Sequence, residues 1–360
     1  FFFVTDFSGG IYVRFPCSKK KSLKQSLHLF YHAARIISSV RACLKGELMI
    51  ISASRRTDLP AFYSEWFFQR LKEGYVLVRN PFSAHQVSRI ALHPDVVDGI
   101  VFWSKNPAPM MKHLSECREY PFYFQFTLNA YGKDVEPGLP SLEERIRTFL
   151  YLSEQIGPER VLWRFDPVLL NKTYTIPWHR EQFRFLCSRL AGATALCTFS
   201  FLDFYPKIAG NLRSLETISW TKALQWEIAE SLAETADAFG IPLVTCAEQG
   251  DFSSLGISHG NCIDSERMSR IAGIRIRAPK DRNQRTSCGC CESIDIGRYN
   301  TCCNGCRYCY ANSSSAQAAK ESALYRPDAP LLCSELEEAD RVTERKMVSF
   351  KETQMNLWDL

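Results

Sequence analysis

The sequence lacks any apolar run that approaches the roughly 18 residues needed for a membrane-spanning helix. It also lacks the charged start, apolar segment and cleavage site of an export signal. Internal repeats, Gly/Ser linkers and low-complexity tracts are missing as well. With 46% hydrophobic and 23% charged residues, the chain has the composition of a globular protein, and we expect a cytoplasmic one with no membrane partner.

An excess of charge of one sign is also missing from most of the chain. Residues 1–48 contain eight Lys or Arg against Asp6 and Glu47. Taking these from the totals of 44 basic and 39 acidic residues leaves 36 and 37 from Met49 onward, a net charge of −1. This balance argues against a nucleic-acid partner, which would call for a basic surface.

The segment before Met49 differs from the rest of the chain. It begins Phe1-Phe2-Phe3, and Lys45-Gly46-Glu47 is what a purine-rich ribosome-binding sequence would encode. We hypothesise that translation starts at Met49 and that residues 1–48 are a non-native or disordered extension. The alternative is a basic extension with an amphipathic helix over residues 28–44.

From Met49 onward, short apolar runs alternate with longer amphipathic stretches. The runs, which predict strands, are 49–54, 74–78, 99–104, 122–128, 161–165, 196–201 and 241–246. The stretches, which predict helices, are 61–73, 141–156, 178–190 and 219–239, with a capping box at Ser141 and Glu144. Strands alternating with helices predict right-handed βαβ units. We expect one α/β domain over 49–312, a partial TIM-like barrel, and a helical or extended tail over 313–360 whose charged stretch 334–346 is a solvated helix.

Polar side chains follow several of the predicted strands. Parallel sheets and barrels bind ligands at the carboxyl ends of their strands. We therefore expect five side chains to line an active cavity for a polar small-molecule substrate: Arg55, Asp58, Arg164, Asp166 and Glu248. An arginine suits a carboxylate ligand because its fork bonds both oxygens. For Arg164, a buried structural ion pair is the alternative.

Cysteine is abundant, and its distribution is uneven. Seven of the 15 cysteines lie within 22 residues: Cys288, Cys290, Cys291, Cys302, Cys303, Cys306 and Cys309. In a chain with no export signal, such clustering favours metal ligation over disulfide bonds. The scattered Cys117, Cys187, Cys197 and Cys333 are predicted to be small buried apolar residues.

The strongest motif is the Cys-x3-Cys-x2-Cys loop formed by Cys302, Cys306 and Cys309. Three thiolates on one tight loop can hold three irons of a [4Fe–4S] cluster and leave the fourth iron open. Asn304-Gly305 supplies a turn, and Tyr308 places an aromatic ring beside the last ligand. Cys303 is predicted to point away as a packed thiol. A zinc site that uses Cys306, Cys309 and two nearby thiols is the alternative.

This loop is similar to the signature loop of the radical S-adenosylmethionine superfamily. From Met49 onward the chain also resembles the bacterial family called domain of unknown function 1848, in residues 50–58, 78–81, 102–107 and 295–312. The resemblance implies that the open iron binds S-adenosylmethionine, beside Tyr308, Asn304 and Gly305. It further implies that an electron from a flavodoxin- or ferredoxin-type reductant cleaves this cofactor to methionine and a 5′-deoxyadenosyl radical, which acts on a small-molecule substrate.

The position of the loop departs from the superfamily pattern. Members usually carry the loop after the first strand of a partial (β/α)6 barrel, whereas here it follows the other predicted strands. A circular permutation accounts for this, with residues 293–297 supplying the first barrel strand from the far end of the chain. Barrel closure depends on neighbours in space, so chain order matters little.

A second, auxiliary [4Fe–4S] cluster is predicted at Cys246, Cys262, Cys288 and Cys290. Four thiolates would fill all four irons. Gly289 permits a tight turn between the last two ligands. The alternative is that Cys246 and Cys262 are buried apolar thiols and that Cys288, Cys290 and Cys291 bind zinc or nothing.

Two other functions compete with radical chemistry. One is a zinc- or other metal-dependent barrel hydrolase or lyase that uses Asp58, Asp166 or Glu248 as an acid or base. The other is a non-catalytic iron–sulfur regulator. Residues 308–311 also distantly resemble the spore photoproduct lyase group, which raises nucleic-acid repair, but the neutral charge argues against tight phosphate binding.

Overall fold

A computed structural model describes residues 3–5, 11–13 and 49–346 of the chain. The chain divides into two units, 1–46 and 47–360. In the first unit, β1 (Phe3–Thr5) pairs antiparallel with β2 (Ile11–Val13). The predicted helix at 28–44 and the last part of the tail, 347–360, lie outside the described residues. The proposed start of translation at Met49 stays a prediction.

The second unit alternates strands and helices along most of its length. Its strands are β3 (Ile50–Ala53), β4 (Tyr75–Arg79), β5 (Gln86–Ala91), β6 (Gly99–Ser104), β7 (Phe122–Thr127), β8 (Val161–Val168), β9 (Cys197–Phe201), β10 (Leu243–Thr245), β11 (Ser258–His259), β12 (Ile294–Asp295) and β13 (Arg341–Glu344). Its helices are α1 (Leu59–Phe62), α2 (Ser64–Glu73), α3 (Ala108–Met111), α4 (Leu142–Ile156), α5 (Ile176–Leu190), α6 (Ala209–Ser214), α7 (Lys222–Ala238), α8 (Ser265–Ala272) and α9 (Ser315–Ser322).

The main sheet has eight strands in the order β12-β3-β6-β7-β8-β9-β10-β11. Every neighbouring pair is parallel. The expected α/β fold with a parallel sheet is therefore confirmed, and the described pairings form an open sheet with β12 and β11 at its edges. At one edge, Ile294 lies opposite Ile51 and Asp295 opposite Ser52, so the strand before the cysteine loop does join the sheet beside β3.

Large apolar side chains on both faces hold this sheet between helices. On one face, Phe102 stacks on Phe124 with ring centroids 4.8 Å apart. Phe183 of α5 stacks on Trp163 of β8 at 5.0 Å. Each fully buried aromatic of this kind contributes roughly 1.5–3 kcal/mol. The predicted capping box at the start of α4 is confirmed, since Ser141 and Glu144 bond each other's backbone N–H.

Of two further segments predicted from the sequence, the structure confirms one as a strand and contradicts the other. The run at 74–78 does form β4, but β4 lies in a separate three-stranded sheet, antiparallel to the unpredicted strand β5. The charged stretch 334–346 is not a helix, because it contains β13, which pairs in parallel with β5. Ion pairs from the partner strands fix this tail: Arg79 bonds the Asp340 carboxylate at 2.7 Å, and Arg89 lies 3.0 Å from Glu344.

Across the described ranges, no helix is long and apolar enough to cross a membrane.

Candidate functional site

A cavity of about 480 Å³ lies at the carboxyl edge of the main sheet. Residues at or after the ends of β3, β6, β9, β10 and β12 line it, together with residues near the end of β8, as expected for a parallel sheet. Among the five predicted cavity residues, Arg55, Asp58, Arg164 and Asp166 line it, whereas Glu248 does not. Seven cysteines share its wall: Cys246, Cys262, Cys288, Cys290, Cys302, Cys306 and Cys309. We call the first four the distal thiols and the last three the loop thiols.

The loop thiols lie within electrostatic reach of one another. The Cys302 side chain is buried, and those of Cys306 and Cys309 are half-buried. Burial raises the pKa of all three thiols, and the charges of Asp58 and the other two thiols add to this for Cys302. A thiol must lose its proton to bind a metal, so a cation bound here would have to offset the cost of burying three thiolates.

Backbone geometry shapes the cysteine loop. Gly305 has φ +68°, a left-handed conformation that glycine adopts without steric cost, at the turn predicted there. The Cys309 N–H donates to the Cys306 carbonyl at 3.1 Å, and the Asn312 amide donates to the Cys302 carbonyl at 2.6 Å. These local bonds curl the chain so that its three thiols face the cavity.

A second loop, residues 131–139, clamps the cysteine loop from outside. The Gly138 N–H donates to the Asn304 carbonyl at 2.9 Å, and the Arg307 N–H donates to the Val135 carbonyl at 3.0 Å. A Cβ on Gly138 would lie only 2.6 Å from the Asn304 carbonyl oxygen. Glycine is therefore needed at 138 because the two backbones approach so closely.

Asp58 anchors the cysteine loop to the sheet. Its buried carboxylate accepts four bonds: from Ser104 Oγ at 2.7 Å, the Lys105 N–H at 2.9 Å, Asn304 Nδ2 at 3.0 Å and the Ala61 N–H at 3.1 Å. Although burial raises its pKa, these donors counter the effect. The carboxylate therefore connects the end of β6, the start of α1 and the cysteine loop, which is a positioning arrangement.

Asp295 at the sheet edge accepts several hydrogen bonds, as Asp58 does, and it was not predicted from the sequence as a site residue. Its carboxylate accepts from Ser54 Oγ at 2.6 Å, the Arg55 N–H at 2.8 Å and Ser52 Oγ at 2.9 Å. It ends β12, so the rule that polar residues at strand ends line the cavity would have found it.

Glu136 was also missed, and no periodic pattern marks it because it lies in the clamping loop. Its buried carboxylate accepts from Lys105 Nζ at 2.8 Å, from Arg145 Nη1 at 3.4 Å and from the Tyr308 hydroxyl. Lys105 Nζ also lies 5.3 Å from the centre of the Tyr308 ring. Glu136 thus fixes Tyr308, which lines the cavity together with Asn304.

The distal thiols come from three separate segments and lie in contact. Cys246 Sγ is 3.2 Å from Cys262 Sγ. The neighbouring Cys290 thiol lowers the pKa of Cys288 to about 7. The thiol of Cys291 turns away and donates to the Ile263 carbonyl at 3.4 Å. A methyl on Gly289 would meet the Asn261 side chain, so close packing, and not a left-handed turn, explains this glycine.

Arg164 joins the distal thiols to Asp166. Its Nη1 donates to Cys262 Sγ at 2.8 Å, and its Nε donates to Asp166 Oδ2 at 3.1 Å. Burial alone would raise the pKa of Asp166, but the Arg164 guanidinium and the Ser200 hydroxyl hold it below its usual value. The buried ion pair expected as the alternative for Arg164 is thus present, and both partners line the cavity.

The remaining predicted residues lie away from the cavity. The Glu248 carboxylate accepts from the Phe201 N–H at 2.9 Å, and burial raises its pKa to about 7. Cys303 points away as expected, but it is exposed, so the prediction of a packed thiol is wrong. The scattered cysteines Cys117, Cys187, Cys197 and Cys333 are buried, as predicted.

Within residues 49–346, no three His, Cys, Asp or Glu side chains are grouped so that they could hold a single metal ion. The donors of the two thiol sets are nevertheless soft sulfur ligands, which favour iron–sulfur clusters, zinc and copper(I) over hard cations. In a [4Fe–4S] cluster each thiolate binds a different iron, so three or four cysteines supply the protein ligands. The donor chemistry of both sets therefore fits a cluster.

The family model for the domain of unknown function 1848 matches residues 50–311. This match covers most of the chain, and the chain belongs to that family. No curated protein and no solved structure matches the chain significantly.

Proposed function

We propose that this protein is an enzyme that binds a [4Fe–4S] cluster through Cys302, Cys306 and Cys309 and uses it with S-adenosylmethionine for radical chemistry on a small molecule. The observation that carries the proposal is that three thiols of one short loop line a cavity of about 480 Å³ at the carboxyl edge of a parallel sheet. That volume is typical of a small-molecule site. The strand order, with β12 beside β3, supports a circularly permuted version of the partial barrel that such enzymes use.

The ligand count supports one open iron. The remaining cysteine of the loop, Cys303, is exposed and does not line the cavity. Among the strongest electrostatic partners of the loop thiols are Asp58, Lys105 and Glu136, but none of the distal thiols. Three protein ligands therefore face the cavity as one group, which leaves a coordination position for the cofactor.

When bound, the cluster would supply one electron, received from a flavodoxin- or ferredoxin-class reductant, to break a C–S bond of the sulfonium and give methionine and a 5′-deoxyadenosyl radical. The residues of the chain position the reactants. Arg55 faces the cavity, held by its backbone N–H to Asp295 and by Nη2 to Ser293 Oγ at 3.3 Å. Its guanidinium suits the methionyl carboxylate, because an arginine fork bonds both oxygens.

Tyr308 and the hydroxyl groups of the cavity wall are suited to bind the adenosine part of the cofactor. The Tyr308 ring is fixed by its hydroxyl bond to Glu136 and offers an apolar surface to an adenine. Thr127 and Ser200 also line the cavity and carry hydroxyls suited to a ribose.

A metal-dependent hydrolase is less well supported by the carboxylates. Asp58 already accepts four hydrogen bonds, Asp166 is paired with Arg164, and Glu248 lies outside the cavity. A general acid or base needs a carboxyl group within reach of the substrate proton.

The test is anaerobic purification followed by reduction in the presence of S-adenosylmethionine, with 5′-deoxyadenosine measured by chromatography. We expect a brown protein that releases 5′-deoxyadenosine, faster when cell extract supplies the substrate. The Cys306→Ala variant should release none, whereas Cys303→Ala, its matched control on the same loop, should keep most of the activity. A colourless protein that contains zinc would contradict the proposal, and an iron–sulfur protein that never cleaves the cofactor would favour a regulator.

A further inference from the structure

We infer that the distal thiols, Cys246, Cys262, Cys288 and Cys290, are the four ligands of a second [4Fe–4S] cluster that faces the same cavity. This inference concerns a separate set of ligands and does not rest on the use of S-adenosylmethionine by the first cluster. It rests on how the fold assembles these four side chains and on the groups that surround them.

The backbone around the distal thiols is fixed by the core of the sheet. The Cys262 carbonyl accepts from two buried side chains of β7, Tyr123 Oη at 2.8 Å and Gln125 Nε2 at 2.8 Å. The Ile263 N–H points to Cys290 Sγ at 3.4 Å, and the Cys291 N–H donates to the Ile263 carbonyl at 3.0 Å. Segments 262–263 and 290–291 are thus tied together, which holds two of the thiols side by side.

Two arginine side chains and one tryptophan N–H donor lie beside the distal thiols. Four thiolates around a cluster carry a net negative charge, and Arg164 donates directly to Cys262 Sγ. Arg55 interacts electrostatically with Cys290 and Cys262. Trp103 packs beside these thiols and lines the cavity, and its buried Nε1 has no hydrogen-bond partner among the residues of the described structure. N–H groups of this kind bond to the sulfur atoms of a cluster.

The number and kind of donors fit a filled [4Fe–4S] cluster. Four soft cysteine thiols line one cavity, and such a cluster takes four thiolate ligands. The 3.2 Å contact between Cys246 and Cys262 is closer than two thiolates on different irons, so binding requires one side chain to rotate. Cys246 is half-buried at the wall of the cavity and has the space for this rotation.

The experiment starts from a variant that lacks the loop thiols, Cys302→Ala/Cys306→Ala/Cys309→Ala, reconstituted with iron and sulfide without oxygen. We expect it to retain about four irons and four sulfides per chain and the absorption of a filled cubane. Adding Cys262→Ser to this variant should remove the iron. Adding Cys291→Ser should not, because that neighbouring thiol is buried but points away from the cavity.

A parallel pair in the otherwise unchanged protein guards against misfolding of the triple variant. Here Cys262→Ser should lower the iron content from about eight to about four per chain, and Cys291→Ser should leave about eight. An iron-free triple variant together with four irons in the unchanged protein would overturn the second cluster but keep the first. One zinc per chain in the triple variant, or a Cys246–Cys262 disulfide found by mass spectrometry after anaerobic purification, would also overturn it.

Discussion

The loop thiols and the distal thiols reach the same cavity by different routes. Cys302, Cys306 and Cys309 lie within eight consecutive residues, and the bonds that curl them together are local. Cys246, Cys262 and Cys290 lie on three segments that only the fold brings together. A ligand set of the first kind can be recognised from its spacing, whereas one of the second kind depends on strand order.

Their surroundings also differ in charge. Asp58 and Glu136, together with Lys105, lie around the loop thiols, whereas Arg164 and Arg55 lie around the distal thiols. Hydrogen bonds and positive charge at the sulfur atoms raise the reduction potential of a cluster. We therefore expect the distal centre to be the easier of the two to reduce.

The largest expected effect is the difference in activity between variants of the three loop thiols and a variant of Cys303, the fourth cysteine of the same loop. Replacing Cys302, Cys306 or Cys309 by Ala should lower cleavage of S-adenosylmethionine by more than ~100-fold, because loss of a ligand costs more than loss of an outer partner. Cys303→Ala should retain most of the activity, since its exposed thiol lies off the cavity. Release of 5′-deoxyadenosine per chain measures both. Equal loss in all four variants would show that the assignment of ligands is incorrect.

The next effect tests the charge around the distal thiols. Arg164→Met removes the donor to Cys262 Sγ and should weaken iron binding there by roughly 10- to 100-fold while making the reduction potential more negative. Chelator competition and a potentiometric titration, both in the variant without loop thiols, give the two values. Arg56→Met is the control, because Arg56 lines the cavity but bonds the Gly297 carbonyl, on the loop side. An unchanged affinity in Arg164→Met would remove the role given to this arginine.

A smaller effect tests the clamp on the cysteine loop. Gly138→Ala places a methyl against the Asn304 and Cys303 carbonyls and should cost about 1–3 kcal/mol of unfolding free energy, as overpacking usually does. Iron bound by the loop thiols should fall, and iron bound by the distal thiols should not. Gly210→Ala in α6 is the matched control, since a Cβ there meets no atom within 4 Å. Urea unfolding and iron content report the result, and equal behaviour of the two variants would refute the clamp.

The last expected effect concerns α5, which packs against the clamping loop through His179 and Tyr131. Burial lowers the pKa of His179, in α5, to about 4, while its Nε2 lies 2.7 Å from the Leu169 carbonyl. The unfolded chain binds a proton near pH 6.5 and the folded chain only near pH 4, so stability should fall as the pH drops through this window. In His179→Gln this pH-dependent loss, about 1–3 kcal/mol, should disappear. Urea unfolding of iron-free protein at pH 7 and pH 4.5 measures it, and an equal pH dependence in both proteins would exclude His179 as its source.

Much of the fold could be predicted because it is encoded locally. The buried strands β3, β6, β7, β8 and β9 show runs rich in apolar residues, and the α4 capping box is encoded by two residues. The sheet to which β4 belongs could not be predicted, because an apolar run does not say which sheet a strand joins. The strand β13 was missed because the acidic residues in and beside it pair with Arg79 and Arg89, which lie more than 250 positions earlier.

The candidate site also contains some residues that could be predicted from the sequence and others that could not. Spacing alone identified the loop thiols, and strand ends identified Arg55, Asp58, Arg164 and Asp166 as residues of the cavity wall. Glu136 could not be found, because it lies in a loop and its role depends on Lys105 and Tyr308 arriving from elsewhere. The saturation of Asp58 by four donors is likewise a property of the folded chain.

The late position of β12 in the chain determines the order in which the sheet and the cysteine loop can form during synthesis. Seven strands of the main sheet precede β12 in the chain, and the cysteine loop follows it. Chains fold from the N-terminus as they leave the ribosome, at about 5–20 residues per second. The sheet can therefore form while its last edge is still open and the loop thiols are still inside the ribosome. If the loop thiols bind a cluster as proposed, that cluster can be loaded only late, and a chain whose synthesis stops before β12 exposes the unpaired edge of β3.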